Sequence, residues 1–225
     1  MKKFNIALDG PSGAGKSSIA DQLAEIYQMK HLDTGAMYRA ISWLLNQEKI
    51  DPENDLAIEN ALKSAVLDLP EDGRVIINGI DVSEIIRTPE VSMLASLYAS
   101  KAPVRQKMVE LQQKIASRQG FIVDGRDICD VVLPDALVKI YLDASADARA
   151  KRRYLQDLEN GKSVEYEEVL RQIEQRDYQD RHRAISPLKI SDQAVVIDSS
   201  QLNIEQTVAK ACEVVNERLK KEGLL

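Results

Sequence analysis

The residues Gly10-Pro11-Ser12-Gly13-Ala14-Gly15-Lys16-Ser17-Ser18 are spaced to hold an anion. Glycines let backbone N–H groups turn toward a bound oxyanion without a Cβ clash. A helix opening at the end of the stretch adds about half a positive charge. Lys16 supplies a full, mobile charge for the β- and γ-phosphates of a nucleotide, and Ser17 offers a hydroxyl to Mg²⁺. The stretch fits G-x-x-x-x-G-K-[ST] at every fixed position, and the apolar run from Phe4 to Leu8 before it reads as a buried strand. A glycine-rich turn with an incidental lysine would not show that agreement at three levels.

Such a loop alone does not separate a kinase from a GTPase or a motor ATPase. No Asn-Lys-x-Asp occurs to read guanine. A phosphate acceptor must be sought elsewhere, and arginines mark the places. Phe121 to Asp127 ends a second buried strand in Asp124, placed to support Mg²⁺ through water. Arg126 follows at the carboxyl end of that strand, where open α/β sheets bind ligands. In "LDTGAMYR", Thr34 and Tyr38 are one helical turn apart and Arg39 is set to reach a phosphate near the helix start. Arg176, Asp180 and Arg183 form an i, i+4, i+7 stripe on a predicted helix, and Arg149, Arg152 and Arg153 form another basic face. Two basic faces flanking one segment suggest a lid that closes over phosphates and excludes water.

These groups need a scaffold to position them. Five strands are predicted, in "FNIAL", "KHLD", "GFIVDGRD", "ALVKIYLDA" and "AVVID", separated by helices. That alternation implies an α/β fold, a five-stranded parallel sheet covered on both faces. Ile19, Leu23, Ile26 and Tyr27 are expected on the buried face of the first helix, which follows the loop. Asp33 or Thr34 is placed to cap the second. Turn signals at Pro70, Asp72-Gly73 and Asn78-Gly79 predict a β-rich insert at about 61–89. Two strongly charged helices make up a lid at about 146–186, with a hinge at Gly161 and Lys162. The rest, about 1–60, 90–145 and 187–225, is core, and the whole is one domain.

The chain has 225 residues, 44% hydrophobic and 29% charged, which describes a globular protein with one substantial core. Aromatics at 4% argue against a base-stacking platform, and a net charge of −6 argues against a nucleic-acid partner. Cys129 and Cys212 lie too far apart for a CxxC pair; free thiols suit a cytoplasmic setting, with core packing as their role. The apolar run at the N-terminus is too short for a secretory leader, and none approaches the roughly 18 residues of a membrane span. His31, read as a strand-edge residue, and His182, read as a lid surface residue, need no catalytic role.

Taken together, "DGPSGAGKSS", "LDTGAMYRA", "GIDVSEIIRTPEVSMLAS", "DGRD", "LPDALVKIYLDAS" and "RDYQDRHRAISPL" resemble the bacterial cytidylate kinases, over about residues 4 to 220. The resemblance implies a P-loop kinase fold of three parts: core, monophosphate-binding insert and helical lid. It implies a monomer that transfers the γ-phosphoryl group of ATP, with Mg²⁺, to CMP or dCMP; the alternative acceptor is UMP. Ser96, Arg105 and Asp127 look like the cytosine readers, and Arg39, Arg126 and Arg183 like the acceptor phosphate clamp. Thr34, Tyr38, Arg176 and Asp180 look like further acceptor contacts, the last two near the sugar. Arg149, Arg152 and Arg153 look like lid arginines over the donor, with Lys16, Arg126, Arg153 and Arg183 carrying the catalysis. The chain departs from the family pattern at Ile128-Cys129-Asp130, where Met-Gly-Thr is usual, so a carboxylate is added beside a phosphate site. Gln179 often has an arginine in its place, and Thr34 replaces a common serine.

Overall fold

The computed structural model describes residues 3–70 and 72–225. In chain order the first elements are β1 (Ile6–Asp9), α1 (Lys16–Tyr27), β2 (Lys30–Asp33), α2 (Thr34–Gln47) and α3 (Asp55–Ser64). They are followed by β3 (Leu67–Asp68), β4 (Ile76–Ile77), β5 (Ile80–Asp81), α4 (Pro89–Tyr98) and α5 (Ala102–Ala116). The last are β6 (Phe121–Gly125), β7 (Val138–Asp143), α6 (Ala146–Glu159), α7 (Tyr166–His182), β8 (Val195–Asp198) and α8 (Ile204–Lys221). The chain divides into two compact units: one runs to Leu32 and resumes at Ala116–Leu225, the other is Asp33–Ile115.

The first unit is built on the sheet, whose order is β2-β6-β1-β7-β8. β1 is buried along its length and pairs parallel with β6 on one side and β7 on the other. That is why Ile6, Ala7 and Leu8 are all apolar: a strand covered on both faces has no side for water. Ile6, Leu8, Ile122, Ile140 and Leu142 pack with Leu23 of α1 and Val215 and Leu219 of α8. Burying each of the large side chains contributes about 1.5–3 kcal/mol. Register then decides where the chemistry lies. Asp9 stands opposite Gly125, so the loop after β1 and Arg126 after β6 leave adjacent strand ends.

The helix faces differ from expectation in detail. Ile19, Ala20 and Leu23 of α1 are buried and Tyr27 is half-buried, but Ile26 is 53% exposed. The buried stripe runs through 16, 19, 20, 23 and 27, and Ile26 falls beyond its edge. α6 and α7 share a small cluster of their own, Ala150, Val169 and Ile173. α7 ends at His182, and Arg183 has extended backbone as its C-cap, so the predicted stripe leaves the helix at its last member.

The second unit packs α2 against α4. Asp33 caps α2 by accepting a hydrogen bond from Ala36 N at 2.8 Å. Sequence reasoning missed α3, whose buried face is only Ile58 and Leu62; Asn54 caps it. Over the region predicted as β-rich, β3, β4 and β5 pair antiparallel but are two residues each, so the strand content is slight. Asn78 and Gly79 both have positive φ, at 50° and 80°, the requirement of a tight hairpin turn. Among the described residues no helix is long and apolar enough to cross a membrane.

Candidate active site

The loop from Gly10 to Gly15 is shaped by glycines at φ 151°, 78° and 91°. Gly10 passes so close to β7 that a Cβ built on it would lie 2.0 Å from Leu142 O. Gly15 starts α1 in the left-handed region, with open space around it. The two glycines are therefore required for different reasons, close approach at 10 and backbone conformation at 15. Lys16 folds back over the loop and donates to Gly10 O and Pro11 O, each at 2.8 Å.

Lys16 is 6% exposed. Burial, reinforced by repulsion from Arg126, draws its ammonium down to about 7 against the pull of Asp124, Asp180 and Asp9. Ser17 Oγ donates to Asp124 Oδ2 at 3.1 Å. A hydroxyl and a carboxylate so placed at the head of α1 are hard oxygen donors of the kind Mg²⁺ takes. Burial opposes the charge on Asp124, but His31, Lys16 and Ser17 outweigh it and hold the carboxyl below its usual range.

His31 is more than the strand-edge residue expected. Its Nε2 lies 3.0 Å from Asp124 Oδ1 and its Nδ1 lies 2.7 Å from Asp21 Oδ1. Burial works against its charge, yet the bonds to Asp124 and Asp21 prevail and raise it to about 9. β2 lies beside β6 in the sheet, which carries His31 to Asp124. His182, by contrast, stacks on Tyr178, which is exposed, with ring centroids 4.0 Å apart.

The same strand ends hold a second cluster. Arg126 Nε donates to Asp180 Oδ2 at 2.8 Å. Arg183 Nη1 lies 3.9 Å from Asp180 Oδ1 and its Nη2 lies 4.0 Å from Asp127 Oδ1, while its Nε donates to Ser186 O at 2.6 Å. Burial disfavours the Asp180 charge, and Arg126, Arg176 and Arg183 together overcome it and lower its pKa. Asp9, which the motif reading passed over, accepts from Ile128 N and Cys129 N at 2.8 Å each and so fixes the turn after Asp127. Cys129 is fully buried, and burial with Asp9 nearby pushes its thiol far up. The carboxylate of Asp130 does not stand loose beside a phosphate site: Lys189 Nζ is 3.0 Å away and, with Ser191, keeps it ionised against its partial burial.

The arginines of α6 share a face but not a target. Arg149 is 2% exposed and bonds Ala144 O, Ser12 O and Asp177. Arg152 donates to Ser199 O and Leu202 O in the β8–α8 turn. Arg153, half exposed, donates to Asp157 Oδ2 at 2.9 Å.

In the second unit, Thr34 is buried at the head of α2. Arg39 Nη2 donates to Asp33 Oδ2 at 3.1 Å, and Gly35 leaves room for that pair: a Cβ there would sit 3.0 Å from each partner. Arg105 is 3% exposed, donates to Ala99 O at 3.2 Å and lies 5.6 Å over the Tyr38 ring. Ser96 lies on α4, half-buried, with its hydroxyl donating to Ser92 O at 3.3 Å. Gly35 and Asp33 carry no periodicity; the signal for them was their place in "LDTGAMYR".

A sheet with an anion loop and a buried lysine after its central strand, and half-buried arginines at the neighbouring strand end, defines a phosphate-loop nucleotide-binding protein. A family model described as cytidylate kinase matches residues 6–217. The chain belongs to the cytidylate kinase family. It is 44% identical to a cytidylate kinase of Caldicellulosiruptor bescii over 225 residues, 99% of this chain and 100% of that one. It is 48% identical to one of Thermosipho africanus over 215 residues, 96% of each chain. Among solved structures, an uncharacterized protein from Eubacterium ventriosum has a TM-score of 0.55 at 14% identity, covering 96% of this chain and 99% of that one, a likeness of fold alone.

Proposed function

We propose that the chain transfers the γ-phosphoryl group of ATP to CMP or dCMP, releasing ADP and CDP or dCDP. Family membership supports the reaction, and one observation supports its location. Lys16 and Arg126 repel each other, yet Lys16 is buried and Arg126 half-buried beside Asp9, Asp124 and Asp180. Two such cations are most stable with anions between them, and a polyphosphate supplies those.

The acceptor phosphate is already anionic near neutral pH, so no general base is needed. Catalysis is positioning and charge neutralisation during in-line transfer. Lys16, Arg126, Arg153 and Arg183 are assigned to the charge of the transferring group, and the loop Gly10–Ser18 to the donor. Arg39, Arg126 and Arg183 are assigned to the CMP phosphate, with Thr34 and Tyr38. Arg176 and Asp180 are assigned to the sugar, and Ser96, Arg105 and Asp127 to the base. An arginine and an aspartate can between them donate to the ring N3/O2 side of cytosine and accept from its 4-amino group. Mg²⁺ bound with ATP would be held by Ser17 Oγ and, through water, by Asp124, and would neutralise charge on the β- and γ-phosphates.

An acceptor panel in a coupled ADP-release assay with MgATP tests the reading. CMP and dCMP are expected to turn over fastest among CMP, dCMP, UMP and AMP. Equal or faster turnover of UMP or AMP refutes the acceptor assignment. Lys16→Ala is expected to lower kcat by on the order of 10²–10³. Near-normal turnover in that variant refutes the mechanism.

A further inference from the structure

Arg149 makes four hydrogen bonds from a site shut off from water. Nε donates to Ala144 O at 2.9 Å, which ties the side chain to the start of its own helix. Nη1 donates to Ser12 O at 2.9 Å and to Asp177 Oδ1 at 3.0 Å, and Nη2 donates to Asp177 Oδ2 at 2.5 Å. Its aliphatic stem lies along the loop as well. A Cβ built on Gly13 would meet Arg149 Cβ at 3.4 Å, Cγ at 3.8 Å and Cδ at 3.9 Å. The fork and the stem are separate contacts to the same loop.

A guanidinium is planar and rigid, so one group sets the spacing between a loop carbonyl and a carboxylate of α7. In a planar trans peptide the carbonyl and the following N–H point opposite ways. Holding Ser12 O therefore fixes the direction of the Gly13 N–H in the phosphate loop. On the other side, Asp177 lies between Arg176 and Asp180 on α7, and Asp180 accepts from Arg126 and faces Arg183. Where Asp177 is held, the groups assigned to the acceptor are held too.

We propose that Arg149 is a positioning residue that couples the donor loop to α7 through the Ser12–Arg149–Asp177 bridge, so that binding of either nucleotide favours binding of the other. The inference rests on the donor and acceptor assignments above. Coupling between two sites is reciprocal, so it is measurable from either ligand.

Titration calorimetry of the full chain with Mg²⁺ measures CMP binding with and without AMP-PNP, a non-hydrolysable ATP analogue. In the native protein AMP-PNP is expected to tighten CMP on the order of tenfold. Asp177→Asn keeps an acceptor but loses the charge; each nucleotide alone is expected to bind within about threefold of the native value, while the coupling ratio falls toward one. Arg149→Lys keeps the charge but loses the fork, and the same loss of ratio is expected; it also serves if Asp177→Asn does not fold. A purely structural role lowers the melting temperature and leaves the ratio unchanged. A native-like ratio in either folded variant, or native protein that binds both nucleotides without coupling, overturns the bridge while leaving the kinase reading intact. Failure of the native protein to bind CMP overturns that reading and the bridge with it.

Discussion

Replacing Gly10 with alanine tests whether close approach, rather than flexibility, governs the phosphate loop. The new Cβ would sit 2.0 Å from Leu142 O, a backbone atom, at a φ of 151°. About 1 Å of separation is needed merely to reach the closest contact that real Cβ atoms show. Leu142 belongs to β7, whose ladder to β1 is in register at Leu8↔Ile140 and Asp9↔Tyr141. Opening the strands there combines overpacking of about 3 kcal/mol with two ladder hydrogen bonds of about 1 kcal/mol each, about 5 kcal/mol in total. For a chain of this size that is a fall in Tm of about 10–20 °C. Gly15→Ala is the control, because its Cβ would meet nothing within 4 Å at a φ of +91°. Its cost is conformational alone, about 1–2 kcal/mol or about 2–8 °C. Thermal melting by far-UV circular dichroism compares the two, since Trp43 fluorescence reports from α2 and not from the sheet. A Gly10→Ala protein melting no lower than Gly15→Ala would falsify the close-approach argument.

Three further outcomes follow from the geometry. Burial draws Lys16 from 10.5 to about 7, so the folded chain sheds that proton before the unfolded chain does, and the nucleotide-free protein gains stability as pH rises from about 7 to about 10.5. Phosphates restore the charge, so ATP binding near pH 8.5 takes up about one proton in calorimetry across buffers of different ionisation enthalpy; buffer-independent heats refute this. Arg105→Ala or Asp127→Ala is expected to erode CMP preference over UMP and AMP more than it weakens ATP binding, and unchanged selectivity would remove both from the base site. With Cys129 fully buried and Cys212 half-buried, a thiol reagent should label Cys212 first and Cys129 only on unfolding; equal labelling rates contradict the placement.

Local pattern carried the reading as far as local physics reaches. The phosphate loop is contiguous, and its glycines and lysine state their role by spacing alone. Runs such as Ile6–Leu8 are apolar throughout because both faces of the strand are covered, which a short window detects. Most of the failures are of partnership. His31 meets Asp124 because the sheet order sets β2 beside β6, and no window holding one of them includes the other. Helical spacing put Arg149, Arg152 and Arg153 on one face, but Arg149 and Arg152 meet partners remote in sequence, Ser12 and Asp177 for the first and the β8–α8 turn for the second, while Arg153 meets Asp157 one turn along the same helix. α3 was missed because two buried side chains leave too faint a period to register.

Asp130 shows how such a partner changes a conclusion. Read alone, a carboxylate three residues after Asp127 should repel an incoming phosphate. In the fold Lys189 stands 3.0 Å from it, on the segment that follows Arg183. The added charge is thus largely neutralised where it arises, and the pair links the turn after β6 to the stretch leaving α7. Removing Asp130 alone would leave Lys189 without this partner close to the groups that hold Arg183. The departure from the family pattern is therefore understood as a pair, Asp130 with Lys189, rather than as one residue.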